Sequence, residues 1–152
     1  MIHGVVVKEL VTNVDERGFF RELIRVTDDF FQEGFGQLSH ALVHAGVAKA
    51  WHIHKIQIDW WYVATGSLRM GLYDTRTDSP THGETRELSL GEHSPGRVVR
   101  VPTGVAHGFR CLAGPCHMFY VTSKVYNPED EGRIAHDDAT IGYDWLRAAP
   151  IK

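Results

Sequence analysis

The strongest constraint on this chain is a pattern that repeats without becoming a helix. Segments such as "GVVVKEL", "FFRELIRV", "QLSHALVHA", "IDWWYVATG", "SLRMGLYD", "TRELSLG", "GRVVRVP" and "HMFYVTSKVY" are short, largely alternating and bounded by turn residues. Alternation with period two marks strands with one buried face, because successive side chains point to opposite sides. Only "TDDFFQEGFG", residues 27–36, has helical character, with Thr27 as N-cap, acids in the first turn and Gly34 or Gly36 as a stop. It is long enough for a turn or two. Strands this numerous, without alternating helices, predict an all-β sandwich or barrel with short peripheral helical turns rather than a parallel sheet.

The 152 residues, 43% of them hydrophobic, are expected to form a single domain with its own core, spanning 1–152. A formal net charge of -3, with no basic block, argues against nucleic acid and against an acidic membrane surface as partners. Nucleotides and sugars stay open as ligands. "MIHGVVVKEL" lacks the basic flank and apolar run of a signal peptide, and no run approaches the length of a membrane span. A soluble, cytoplasmic protein is therefore expected. Cys111 and Cys116 flank a Gly-Pro turn in "CLAGPC" and could face each other across a hairpin, but two cysteines are no disulfide framework. Reduced thiols are the expectation.

Chemistry concentrates in "AWHIHKIQID", residues 50–59. Five residues lead from Gly46 to His52, one separates it from His54, four lead on to Asp59 and six to Gly66. Further on, Gly96 is followed after five residues by Pro102, then Gly104 and His107. These spacings resemble the two motifs of the cupin superfamily, with Asp59 where Glu is usual and Cys111 where Asn is usual. The resemblance implies a cupin jelly-roll barrel. Along a strand, residues i and i+2 share a face, so His52 and His54 can both enter such a barrel. Asp59 and His107 could join them, and three imidazoles with one carboxylate would suit a divalent transition metal.

A second resemblance covers residues 14 to 145. "VDERGFFRE", Gln37, "GVAKAWH", "VPTGVAHGF" and "FYVTSKVYNPEDEGRIAHDDATIGYDW" are similar, in order and spacing, to dTDP-4-dehydrorhamnose 3,5-epimerases. That family implies a dimeric jelly roll, no metal or other cofactor, and a nucleotide-linked 4-keto-6-deoxy sugar as substrate. It implies inversion at C3, C5 or both, through an enolate. Carried over residue by residue, the resemblance makes His52 the base and Tyr120 the proton donor. Arg17, Glu22, Gln37, His107 and Glu131 fall at substrate or nucleotide contacts, and Tyr126 at a second active-site tyrosine. The roles suit the groups: an imidazole titrating near pH 6.5 accepts a proton at neutral pH, and a phenol can return one.

Three departures from the family pattern carry consequences. Asp59 stands where the family has a lysine that stabilises the enolate oxygen. Lys49 stands where the family has an arginine, keeping the charge but losing the bidentate fork. The family's C-terminal tail, whose aspartate partners the base, has no counterpart before Lys152, so His52 would be oriented by another group, Asp59 or His54. These departures sharpen the metal alternative. A cation on His54, Asp59 and His107 could replace the lysine as Lewis acid, but if His52 were also a ligand it could not be the base. Two further readings remain: a sugar 3,4-ketoisomerase, which "HIHK" resembles weakly, and a non-catalytic sugar-binding cupin.

A homodimer is expected on one further ground. In "IDWWYVATG" Trp60 and Tyr62 share the face opposite Asp59, Trp61 and Val63, and Trp51 and Ile53 alternate likewise against the two histidines. Large aromatics outside a barrel imply a covered surface.

Overall fold

The computed structural model describes residues 1–148, and among these every regular element is a strand. In order they are β1 (Val6–Glu9), β2 (Asn13–Asp15), β3 (Gly18–Phe20), β4 (Gln37–Val43), β5 (Ala48–Ile53), β6 (Asp59–Asp74), β7 (Thr85–Gly91), β8 (Arg97–Val101), β9 (Val105–Thr122) and β10 (Gly132–Arg133). No helix long and apolar enough to cross a membrane occurs among the described residues.

Two long strands organise the rest. β6 and β9 run antiparallel over their whole lengths, from Asp59 opposite Thr122 to Asp74 opposite Val105, with register shifts between Val63 and Leu68. Those shifts divide the pair into two halves with different neighbours. Before them β6 is flanked by β8, and the matching end of β9 by β4. Beyond them β6 is flanked by β7, and β9 by β5. β1 extends the first half through β8, and β10 extends the second through β5. Trp61, Val63, Val99 and Met118 from one half and Leu68, Met70, Leu72 and Phe109 from the other share a single apolar core. This is the jelly roll that alternation and motif spacing predict. β2 and β3 form a separate hairpin.

Three expectations change. "IDWWYVATG" and "SLRMGLYD" are one strand, because Gly66, at φ +78°, sits within a bulged stretch instead of ending a hairpin. "FFRELIRV" contributes only Phe19 and Phe20 to a strand. Residues 27–36 form no helix: Asp28 N–H donates to Arg25 O and Phe31 N–H to Asp28 O, giving successive tight turns. Thr27 is not the cap; Asp28 is the anchor, its Oδ2 accepting from Arg25 N at 2.8 Å and Lys8 Nζ at 2.6 Å.

That pinned segment has a use. It drives Phe31 edge-on against Trp60, ring centroids 4.6 Å apart, while Trp60 Nε1 donates to Phe30 O at 2.8 Å. Trp60 is thereby 1% exposed. On the opposite side Trp51, also 1% exposed, lies against Trp145 and Tyr143 at 4.7 and 5.4 Å. The outward aromatics are therefore covered by the chain itself, and they give no support to a dimer.

At the edge of the site β5 carries a bulge: Lys49 pairs with Phe109 and His52 with His107, so Ala50 and Trp51 face Gly108 alone. A Cβ on Gly108 would come within 2.6 Å of Ala50 Cβ and 2.8 Å of Lys49 O, so only glycine admits this close approach. Cys111 and Cys116 are free and buried with their sulfurs 3.0 Å apart, and burial first, then the neighbouring thiol, pushes Cys116 up to about 12.

Candidate active site

One cavity of about 210 Å³ gathers most of the candidate residues: Gln37, Lys49, His52, His54, Asp59, His107, Tyr120, Tyr126 and Glu131. Its walls are β4, β5, the start of β6, both ends of β9 and the loop after β9. Pairing explains the convergence. His52 is opposite His107, Trp61 opposite Tyr120 and Asp59 opposite Thr122, so three paired strands, β5, β6 and β9, bring these side chains to one cavity.

His52 sits where the bulge turns β5 inward. Its Nδ1 lies 3.4 Å from Glu131 Oε1, and Arg133 binds the same oxygen at 2.5 Å. The carboxylate behind the imidazole is thus Glu131, neither Asp59 nor His54. Tyr126, whose N–H donates to Gln37 Oε1 at 2.8 Å, lines the same cavity as Glu131. Arg133, bound to Glu131 Oε1, holds the carboxylate that faces His52. Burial and then the Arg133 charge lower the His52 pKa, outweighing Glu131, so the ring is a neutral base at pH 7. Burial would raise the Glu131 carboxyl, yet Tyr126, Arg133 and His52 together hold it below its ordinary value.

Deeper in the cavity Asp59 lies between two imidazoles. Its Oδ2 is 3.6 Å from His107 Nε2 and 4.0 Å from His54 Nε2. Gln57 Nε2 donates to Asp59 Oδ1 at 2.7 Å and Trp61 Nε1 to Oδ2 at 3.2 Å. Burial depresses the His107 pKa to about 4 in spite of the facing carboxylate. His54, Asp59 and His107 form a three-donor cluster that could hold a metal, and His52 is outside it.

Arg17 and Glu22 do not reach this cavity within the chain. Arg17, on the β2–β3 turn, binds Asp15 at 2.5 Å, and Glu22 pairs with Arg25. Asp130 carries no signal in the sequence that would single it out. It is buried, takes the N–H groups of Lys55, Ile56 and Gln57 on its carboxylate at 2.8–2.9 Å, and faces His54 Nδ1 with its own carbonyl at 3.2 Å. The acidic run "PEDEG" marks the neighbourhood, but sequence does not show which acid turns inward.

The whole chain, residues 1–152, matches the family model described as dTDP-4-dehydrorhamnose 3,5-epimerase. The chain belongs to this family. The spore coat polysaccharide biosynthesis protein SpsL of Bacillus subtilis is 47% identical over 148 residues, 95% of this chain and 97% of that protein. The probable low-salt glycan biosynthesis epimerase Agl13 of Haloferax volcanii is 36% identical over 148 residues, covering 95% of this chain and 94% of that one. Among solved structures, the Legionella pneumophila dTDP-6-deoxy-D-glucose-3,5-epimerase RmlC, in complex with dTDP-4-keto-L-rhamnose, superposes with TM-score 0.87 at 26% identity, covering 99% of this chain and 83% of that one. Within this epimerase family, the cavity described above is the candidate active site.

Proposed function

We propose that the protein inverts C3, C5 or both in a nucleotide-linked 4-keto-6-deoxy sugar, with His52 as base and Tyr120 as proton donor. The observation that carries this reading is His52, backed by Glu131 at 3.4 Å, lining one cavity with Tyr120 in a chain of the epimerase family. We assign the hydrogen to His52 Nδ1, the nitrogen that faces the Glu131 carboxylate, which leaves Nε2 with its lone pair. Nε2 takes the carbon-bound proton beside the ketone, and the electron pair moves onto the C4 oxygen as an enolate. Tyr120 then returns a proton to the opposite face. One proton leaves and one returns, so the reaction balances without a redox cofactor. Glu131 positions the base and stabilises the imidazolium that forms.

The nucleotide we propose is dTDP, as in the names of the relatives. A second cleft shares Lys49 and His52 with the cavity and adds Arg133 and His136, a cationic setting suited to a diphosphate. Gln37, Asp59, His107 and Tyr126 line the sugar side. For Arg17 and Glu22 to touch substrate, they must act on a second copy. The hairpin that carries Arg17 also exposes Phe19 and Phe20 at 61% and 62%, which supports a homodimer built through it. Sedimentation at micromolar concentration yielding only a 17.1 kDa species would remove the dimer.

The test of the reaction is deuterium uptake. A dTDP-linked 4-keto-6-deoxy sugar incubated with the protein in deuterated water should gain deuterium at C3, C5 or both. His52→Ala should lower exchange by about 10²- to 10⁴-fold, the range of a general base. Tyr120→Phe should impair inversion more than exchange, since removal precedes return. Wild-type exchange in His52→Ala would show that another group is the base.

A further inference from the structure

One carboxylate oxygen at the edge of the site serves two side chains. Glu131 Oε1 accepts from Arg133 Nη2 at 2.5 Å, and His52 Nδ1 lies 3.4 Å from the same atom. The first contact is a short charge-assisted bond, whereas the second is longer than the usual N–H···O distance of about 2.9–3.0 Å. Base and carboxylate are therefore near each other without being closed, and Arg133 is what holds the oxygen. The strands explain the sharing. β10 sets Arg133 opposite His52 on β5, and Glu131 and Arg133 flank Gly132, so i, i+2 spacing turns both toward the same side. The three residues also straddle a boundary: Glu131 lines the sugar cavity, Arg133 the cationic cleft beside it, and His52 both.

We propose that Arg133 is a positioning residue that couples diphosphate binding to the base: a phosphate entering the cleft draws the guanidinium off Glu131 Oε1, and the freed carboxylate closes on His52 Nδ1. The coupling rests on the reading of the substrate as a nucleotide-linked sugar. The Arg133 hold is of a kind that yields. Its side chain is 68% exposed, against 19% for Glu131, and among the described residues Glu131 is its only ion-pair partner. Exposed pairs add little net stability, while a phosphate offers the planar guanidinium two oxygens at once. Closure would strengthen the base at Nε2, because a carboxylate on Nδ1–H stabilises the imidazolium that forms. The charges act in the same sense: after burial, Arg133 disfavours the protonated ring and Glu131 favours it. Of the other groups facing His52, His54 on β5, Asp59 on β6 and His107 on β9 do not line the cleft, so the Glu131–Arg133 pair is the one that a phosphate reaches. Binding energy from the nucleotide would thus be used at the reacting carbon, far from where it is made.

Deuterium exchange by the whole protein should be compared on a dTDP-linked 4-keto-6-deoxy sugar and on the same sugar without its nucleotide. Inorganic pyrophosphate should speed exchange of the free sugar about 10-fold, the effect of one charge-assisted hydrogen bond. Arg133→Ala should act with opposite signs: faster exchange of the free sugar than wild type and no response to pyrophosphate, but a KM for the nucleotide sugar raised about 10-fold with a smaller change in kcat. Arg133→Lys should recover part of the affinity. Independent of turnover, in protein labelled with ¹⁵N-histidine, a downfield His52 Nδ1 proton should arise on adding dTDP to wild type and be present without dTDP in Arg133→Ala. A variant that loses exchange equally on both substrates, or a His52 proton that dTDP leaves unmoved in wild type, would overturn the coupling. A His52 proton that responds to dTDP in a protein that exchanges no sugar hydrogen would instead remove the epimerase reading and leave the coupling standing.

Discussion

Strand β6 begins and ends on a buried aspartate, and the two are treated in opposite ways. Asp74, at the far end, is surrounded by donors. Arg76 reaches it through Nε at 2.7 Å, Nη2 at 2.8 Å and its backbone N–H at 3.1 Å, and the Ser79 and Thr81 hydroxyls each donate at 2.6 Å. Asp59, at the near end, receives only Gln57 and Trp61, and Gln57 Nε2 also reaches His54 Nε2 at 3.4 Å, so one amide bridges the carboxylate and an imidazole of the cavity. A buried carboxylate kept for the fold is expected to have its lone pairs satisfied. One held by two donors inside a cavity keeps lone pairs free for what enters it. The difference is why we propose a structural role for Asp74 and a role in the cavity for Asp59.

The largest expected effect is on the structural end. Asp74→Ala leaves the Arg76 guanidinium and two hydroxyls without their acceptor. Breaking a buried pair costs about 3–5 kcal/mol, with the lower figure apt because the Arg76 side chain keeps 22% exposure. Urea denaturation measures it, and exchange activity per folded molecule should be unchanged. Asp59→Asn should do the reverse. The Asp59 charge favours the imidazolium that forms as His52 takes its proton, so losing it should slow exchange by about 10-fold, while unfolding free energy changes by less than it does at Asp74. An Asp59→Asn protein that unfolds easily yet exchanges normally would end the contrast between the two carboxylates.

The contrast also marks what the sequence made legible. Period-two alternation and two spaced motifs identified the jelly roll, and i, i+2 spacing sent His52 and His54 inward, because these are local rules. What stayed hidden depends on contacts distant in sequence. The bulge that lets β6 continue past Gly66 exists because β9 bends with it. Trp51 and Trp60 read as surface aromatics because Trp145 and Phe31, their covers, lie 94 and 29 residues away along the chain. Asp130 and Glu131 are adjacent acids, and only the folded loop separates the one that ties down residues 55–57 from the one that backs His52.

The smallest expected effect concerns pH, and it distinguishes the two ends by the window in which stability is lost. His52 and His107 both have folded pKa values below the ordinary 6.5, burial being the first cause in each. As a base, a lowered His52 stays unprotonated further into acid, so exchange should begin to fall only below about pH 6.5. For stability the same direction is a cost. Below about pH 6.5 an unfolded imidazole takes up a proton that buried His107 refuses until about pH 4, so unfolding becomes easier as pH drops through that window. Asp74 has the same sign in a lower window, because Arg76 and its hydroxyl partners outweigh burial and hold its carboxyl well below the usual carboxylate range. Its contribution is full above the unfolded carboxylate value, near 3.9, and is lost only as pH falls through the lower folded one. Denaturation midpoints should therefore show a loss of about 1 kcal/mol between pH 6.5 and 5.5, since one proton is worth about 1.4 kcal/mol per pH unit. His107→Gln should flatten that slope, and Asp74→Asn should leave the slope in place while shifting the whole curve down. A slope that disappears with Asp74→Asn and survives His107→Gln would reverse the roles of the two ends of β6.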